Sequence, residues 1–417
     1  MDTLQKAIEN TLNDLPRKLI VDLVSKKLEA QGVKLSKHEF QRLRDHLLKG
    51  NREPITFKRK SGEHKNLNID LNEETSKTIE RLTTFFENDF PGVLEKLQSR
   101  FAKSIFIDLK RKWKAESSLQ RSEIAGFRKR LERRWGIPLA KLQMLITLAR
   151  EFGSNINQSL RAERDSNHLA LIEVLTRSHA RACQIAEEVI CLLQSGFADG
   201  AMARWRTLHE IAVIALFVQQ RGNKVAERYV GHQTIESFKA GAEYRDWQGR
   251  LNLAPISDET FSKLKISYDA ALKKFGGAFR YAYGWAGDAL GNPNPSFIDI
   301  EKASGIEHLR PYFRMASYNV HAGPKGAFFK LGLMPETAIL LSGPSNAGLA
   351  DPGHSTAISL IQVSSALGSL RSTFDNQVAL RMMMLLQDEI GDAFLAAHQT
   401  LEKDEQTRSR FRAPQVE

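Results

Sequence analysis

Two residues seven positions apart carry the first chemical suggestion in this chain. In "YFRMASYNVHAG", residues 312–323, Arg314 offers a guanidinium suited to gripping a phosphate, and His321 offers an imidazole that can move a proton near neutral pH. Read as a helix from Glu307 to Ala322, with Pro311 in its first turn and a stop at Gly323-Pro324, the stretch gathers positions 314, 317, 318 and 321 on one side. That face carries Arg314, Ser317, Tyr318 and His321, with Asn319 turned partly away. At the end of such a helix the negative pole of the macrodipole favours imidazolium. Phosphate holding by Arg314 and acid–base work by His321 is the chemistry this spacing points to. The plainer alternative is a pair of polar residues at a solvated helix end.

A second polar group lies in "ADGAMARWRTLHE", where Asp199, Arg204, Arg206, His209 and Glu210 crowd one end of a helix that continues as "IAVIALFV". Arg206 and Glu210 are four apart and so neighbours on a helix face. They form either a stabilising pair worth a few tenths of a kcal/mol or the second wall of a cleft facing the 314–321 helix. Charges on a helix with so apolar a continuation need partners, which favours the cleft. Other polar stretches read as structural. Arg177, His179 and Arg181 fit a solvated helix start, and Ser355, next to His354, fits a helix cap better than a nucleophile. "SGPSNAG" lacks the Gly-Lys-Ser/Thr of a phosphate loop. No zinc spacing, serine elbow or dinucleotide fingerprint occurs, so neither metal nor cofactor is expected.

The elements that must position these groups are helical for most of the chain. "LSKHEFQRLRDHLLKG" has Ser36 and Glu39 in capping-box spacing. "PITFKRKSGEHKNLNIDL" alternates Ile55 and Phe57, then Leu67, Ile69 and Leu71, around a turn, which predicts a small β-hairpin whose first arm carries Lys58, Arg59 and Lys60. From Glu73 to Arg150 the pattern is helical and basic, interleaving Trp113, Phe127 and Trp135 with Arg111, Lys112, Lys114, Arg128, Arg130, Arg133 and Arg134. Such a run can neutralise phosphates and stack on bases, or it can be an amphipathic helix with its aromatics in the core. "HLALIEVLTRSHARACQIAEEVICLLQSG" and "FADGAMARWRTLHEIAVIALFVQQRG" predict two long helices in an antiparallel hairpin. Two helices at 355–371 and 375–402 close the chain before a charged, mobile tail at 403–417. The resulting division is a helix-plus-hairpin module at 1–72, a basic helical region at 73–150, and a helical domain at 151–402.

Charge follows this division. Residues 1–140 hold 30 Lys and Arg against 20 Asp and Glu, a net of +10, while the rest of the chain is near neutrality at +1. A nucleic-acid partner for the N-terminal part is one reading of this asymmetry, and a merely solubilising basic surface is the other. No apolar run is long enough for a membrane helix. The first residues carry acids and lack an apolar core of a signal peptide, and the two cysteines, Cys183 and Cys191, have no metal spacing. A cytoplasmic protein with reduced thiols is expected.

The stretches "GFADGAMARWRTLHEIAVIALFV", "ERYVGH" and "YFRMASYNVHAG" together resemble the bacterial 5677 family of domains of unknown function, over residues 165–330. That pattern is in turn similar to the HEPN superfamily of all-helical domains, which includes toxin and antiviral ribonucleases and is marked by Arg, four to six residues, then His. Arg314 and His321 have six residues between them; Met315 stands where many such sites have Asn, and Asn319 follows later. The resemblance implies a mainly α fold with a HEPN-like helical bundle at its C-terminal end, joined to the basic N-terminal part. It further implies a homodimer or larger assembly, and metal-independent RNA cleavage with Arg314, His321, Tyr318, Asn319, Arg206 and Glu210 at the site, in a defence or toxin system. Two other readings stand beside it: a non-catalytic nucleic-acid-binding or assembly protein, and a helical sensor of a small nucleotide.

Overall fold

A computed structural model describes residues 2–49, 54–56, 72–163, 168–334 and 339–412. The described residues form helices and no strand. Of the expected hairpin only residues 54–56, with Ile55, are described. Phe57, Leu67, Ile69, Leu71 and the basic arm Lys58, Arg59 and Lys60 lie outside the described residues.

The chain divides into two compact units, 1–118 and 119–417. In the first, α1 (Asp2–Ala30) turns at Gly32, where a φ of +80° favours glycine, into α2 (Lys37–Leu48). The capping box forms: Ser36 Oγ accepts from the Glu39 N–H at 3.3 Å, and Glu39 Oε2 accepts from the Ser36 N–H at 2.8 Å. Val24, Leu28 and Leu43 are buried between the two helices. Farther on, α3 (Asn72–Thr84) passes through a π-helical turn, Phe85–Asp89, into α4 (Phe90–Glu163).

The unit boundary falls inside α4, because its later part supplies core to the second unit. Leu131, Trp135, Leu142, Leu145, Ile146 and Ile156 are all essentially sealed from solvent. Trp135 is therefore a core residue whose Nε1 donates to Asn346 Oδ1 at 2.9 Å, whereas Trp113 stays exposed. The same asparagine belongs to "SGPSNAG", which is thereby tied down as structure.

The centre of this unit is the expected hairpin, α5 (Leu169–Gln194) and α6 (Ala198–Arg221). Apolar residues of α5 recur every three or four positions, and that face is buried from Leu171 to Leu193. Gly196 makes the turn: its φ is +79°, and a Cβ there would lie 2.6 Å from the Phe127 ring and 2.8 Å from the Ser345 carbonyl oxygen. Helix α6 is buried on several sides, with Trp205, Leu208, Val213 and Phe217 all inaccessible, which suits an apolar sequence lacking a wide polar face.

Shorter helices follow: α7 (Asn223–Gly231), α8 (Gln233–Trp247), α9 (Asp258–Phe275), α10 (Gly287–Leu290), α11 (Phe297–Ser304), α12 (Arg310–Tyr318) and α13 (Pro324–Phe328), of which α7, α11 and α12 pack on this pair and α8 and α9 pack on each other. The chain ends in α14 (Ala350–Gly368), packed on α5 and α6, and α15 (Phe374–Arg412), packed on α14. Helix α14 starts a turn earlier than expected, so Ser355 is not its cap. It is buried within the helix, and its carbonyl accepts from Trp205 Nε1 at 2.8 Å. Helix α15 runs ten residues past 402, through the first part of the expected tail.

Candidate functional site

Helix α12 is shorter than its sequence pattern suggests. A 3₁₀ turn covers Glu307–Leu309, the α-helix begins at Arg310 with Pro311 in its first turn, and it ends at Tyr318 with Asn319 as cap. His321 thus lies beyond the helix, and the shared-face argument reaches Arg314, Ser317 and Tyr318 but not His321. Sequence periodicity overshoots here because Gly323-Pro324 starts a new helix instead of merely stopping the old one. Gly326 in α13 lies against the end of α12: a Cβ there would sit 2.0 Å from the Tyr318 carbonyl oxygen and 3.2 Å from that of His321. Residues 319–325 therefore form a turn with touching feet, and His321 sits on it, exposed.

The inner side of α12 is fixed by Phe313. Its ring stacks on Phe297 at 5.2 Å and meets His209 of α6 at 5.5 Å. Two guanidinium groups, of Arg206 and Arg310, lie 4.7 and 5.1 Å from the centre of the same ring. Arg206 is paired with Glu210 at 3.1 Å. Burial pushes the Glu210 carboxyl above its ordinary range, with Arg206 and His209 opposing the shift. Nearby Tyr283 is raised by burial and then by the Glu210 charge.

Beneath lies a network that the motif reading missed. Glu301 of α11 is completely buried; its Oε1 accepts from His209 Nε2 at 2.8 Å, and its Oε2 accepts from Arg310 Nη1 at 2.8 Å. His209 Nδ1 and Arg206 Nε are buried without a hydrogen-bond partner. The signal available beforehand was the lone Glu301 in "FIDIEKAS", an acid on the apolar side of a short helix, together with Arg310 one turn before Arg314.

The two candidate groups therefore meet, but not as a single set of converging side chains. Arg206 reaches α12 through Phe313, while Arg314 and His321 are exposed. Neither of these two has a side-chain ion pair or hydrogen bond among the described residues. Tyr318 packs edge-on against Phe329 at 6.4 Å, and both side-chain polar atoms of Asn319 are buried without partners. The remaining members of the α6 cluster are structural: Arg204 pairs with Glu188, and Asp199 accepts from the Leu331 and Gly332 N–H groups at 2.9 and 3.3 Å.

The histidine expected on a solvated helix start, His179, is instead buried. Its Nε2 lies 3.1 Å from Ser364 Oγ, and burial lowers its pKa to about 4. Arg177 and Arg181 do face solvent. Among the basic residues of α4, Arg111 and Lys112 both pair with Asp108, Lys114, Arg130 and Arg133 are exposed, and Arg128 donates to Ser195. Arg134 is largely buried and bound to Asp404, so it is not part of an open basic face.

Residues 172–334, which contain α6, α11 and α12, match the profile of a family described as "Family of unknown function (DUF5677)". Comparison with curated proteins and with solved structures found no match. No described helix is long and apolar enough to cross a membrane.

Proposed function

We propose that the chain is a HEPN-like, metal-independent ribonuclease effector of a bacterial defence or toxin system, with Arg314 and His321 handling an RNA phosphodiester. The observation that carries this reading is that Arg314 and His321 are both exposed, and that neither side chain makes an ion pair or hydrogen bond among the described residues. An exposed guanidinium without a carboxylate is free to take an anion. In the reaction His321 takes the proton of a 2′-hydroxyl as its oxygen attacks the adjacent phosphorus. The bond to the 5′ oxygen breaks, that oxygen takes a proton from water, and a 2′,3′-cyclic phosphate remains. Arg314 neutralises the charge that gathers on the non-bridging oxygens.

Arg206 and Glu210 act at one remove in this scheme, fixing Phe313 and hence the helix that presents Arg314. The exposed cations of α4, with Trp113, tether the RNA through its backbone. The test is incubation of purified protein with RNA in EDTA. Wild type should cleave, with His321→Ala and Arg314→Ala each slower by about a hundredfold or more, the scale of a lost acid–base or charge-stabilising group. Equal cleavage by wild type and His321→Ala removes the catalytic assignment. RNA binding without cleavage, weakened by salt and indifferent to His321→Ala, would establish the non-catalytic binder instead.

A further inference from the structure

Helix α15 carries two apolar faces, and only one of them is used within the chain. Met383, Ile390, Phe394, Ala397 and Leu401 recur at helical spacing and are buried, in the core that α14 shares. The opposite face presents Phe374, Val378, Leu385 and Leu395. Phe374 is 78% exposed there, and the other three about half. Three charged side chains, Arg381, Asp388 and Asp392, complete this outer stripe. All three are exposed, and none makes an ion pair or hydrogen bond among the described residues. From Phe374 to Leu395 the stripe advances by alternating steps of four and three, the spacing of a seam between paired helices. At 1.5 Å per residue it is about 32 Å long.

The order of groups along the stripe says what covers it. Leu385 lies at its middle; Arg381 is four residues before it, and Asp388 and Asp392 are three and seven after. Phe374 and Val378 stand toward one end and Leu395 toward the other. A second α15 laid alongside in the same direction would set arginine on arginine and acid on acid. Turned end for end, it sets Arg381 against the Asp388–Asp392 turn of the other copy, twice over. The same reversal lays Phe374 and Val378 beside Leu395. Opposite groups placed evenly about one point are what a contact between identical surfaces requires. Two acids on the stripe oppose a phosphate-bearing partner, whether RNA or anionic lipid. We propose that α15 pairs antiparallel with α15 of a second copy of this chain, about a two-fold axis at Leu385. Arg381 of each copy then meets Asp388 and Asp392 of the other.

The assignment rests on this face alone and does not depend on RNA cleavage by Arg314 and His321. Sedimentation velocity of nucleic-acid-free, full-length protein over a concentration series should show a monomer–dimer equilibrium. Arg381→Glu gathers acids at both contacts and should weaken the dimer at least about tenfold. Asp388→Lys/Asp392→Lys gathers cations there and should do the same. The triple variant Arg381→Glu/Asp388→Lys/Asp392→Lys exchanges the signs and should return the dimer to within about threefold of wild type. Misfolding caused by one set of reversals would not be repaired by adding the other. The proposal is overturned if wild type is monomeric at every concentration, or if either parent variant associates as wild type does. It is also overturned if the triple variant stays as weak as its parents.

Discussion

Replacing Glu301 with alanine tests whether the buried network under α12 holds the candidate site in place. The carboxylate has no solvent access and serves both His209 and Arg310, so its removal takes a partner from each. Breaking a buried ion pair costs about 3–5 kcal/mol. Arg310 is 36% exposed and can recover water, which places the expected loss at the lower end, about 3 kcal/mol. His209 bears most of it, because its other ring nitrogen is already buried and unpartnered. At about 2–4 °C per kcal/mol for a domain of this size, the unfolding midpoint of the second unit should fall by about 6–12 °C. Urea and thermal unfolding followed by tryptophan fluorescence measure it directly, since Trp205 lies 5.3 Å from His209. Arg206→Ala is the contrast: the Arg206–Glu210 pair is partly solvated and should contribute about 1 kcal/mol or less as an ion pair. A loss below about 1 kcal/mol for Glu301→Ala would refute the reasoning, because a sealed two-partner carboxylate cannot be removed so cheaply.

Two further outcomes follow from buried groups elsewhere. His179 has a pKa of about 4 in the folded chain against about 6.5 when unfolded, so the unfolded state takes up the proton first as pH falls. Its contribution is intact above about pH 6.5 and is lost progressively down to about pH 4; by pH 5 the loss amounts to about 2 kcal/mol. Urea midpoints at pH 7 and pH 5 should differ accordingly, and His179→Asn should remove that part of the difference; an unchanged pH dependence would contradict it. Of the two thiols, Cys191 is exposed while Cys183 is buried with its pKa raised to about 12. A thiol reagent should modify one sulfur in the native protein and two after denaturation, and rapid native labelling of both would show that the α5 face is open.

Much of the architecture was legible because it rests on periodicity and punctuation. The α5–α6 hairpin followed from three- and four-residue spacing around Gly196, and α2 from Ser36 and Glu39. The site was less legible, since which face of a helix meets which neighbour depends on partners distant in sequence. Arg206 and α12 do come together, yet the residue that joins them is Phe313, whose ring would pass as ordinary core. His179 looked solvated because Arg177 and Arg181 flank it, but a helix turns by about 100° per residue and places it on the buried side between them. Glu301 carried no motif at all, and its importance comes wholly from lying opposite His209.

The turn that carries His321 is closed by Gly326 lying on the Tyr318 carbonyl, main chain against main chain. The imidazole of His321 takes no part in that closure, being exposed and without an ion pair or hydrogen bond among the described residues. Stripping the imidazole from position 321 therefore leaves the scaffold standing, so silence from the alanine variant would speak of lost chemistry and not of a collapsed loop.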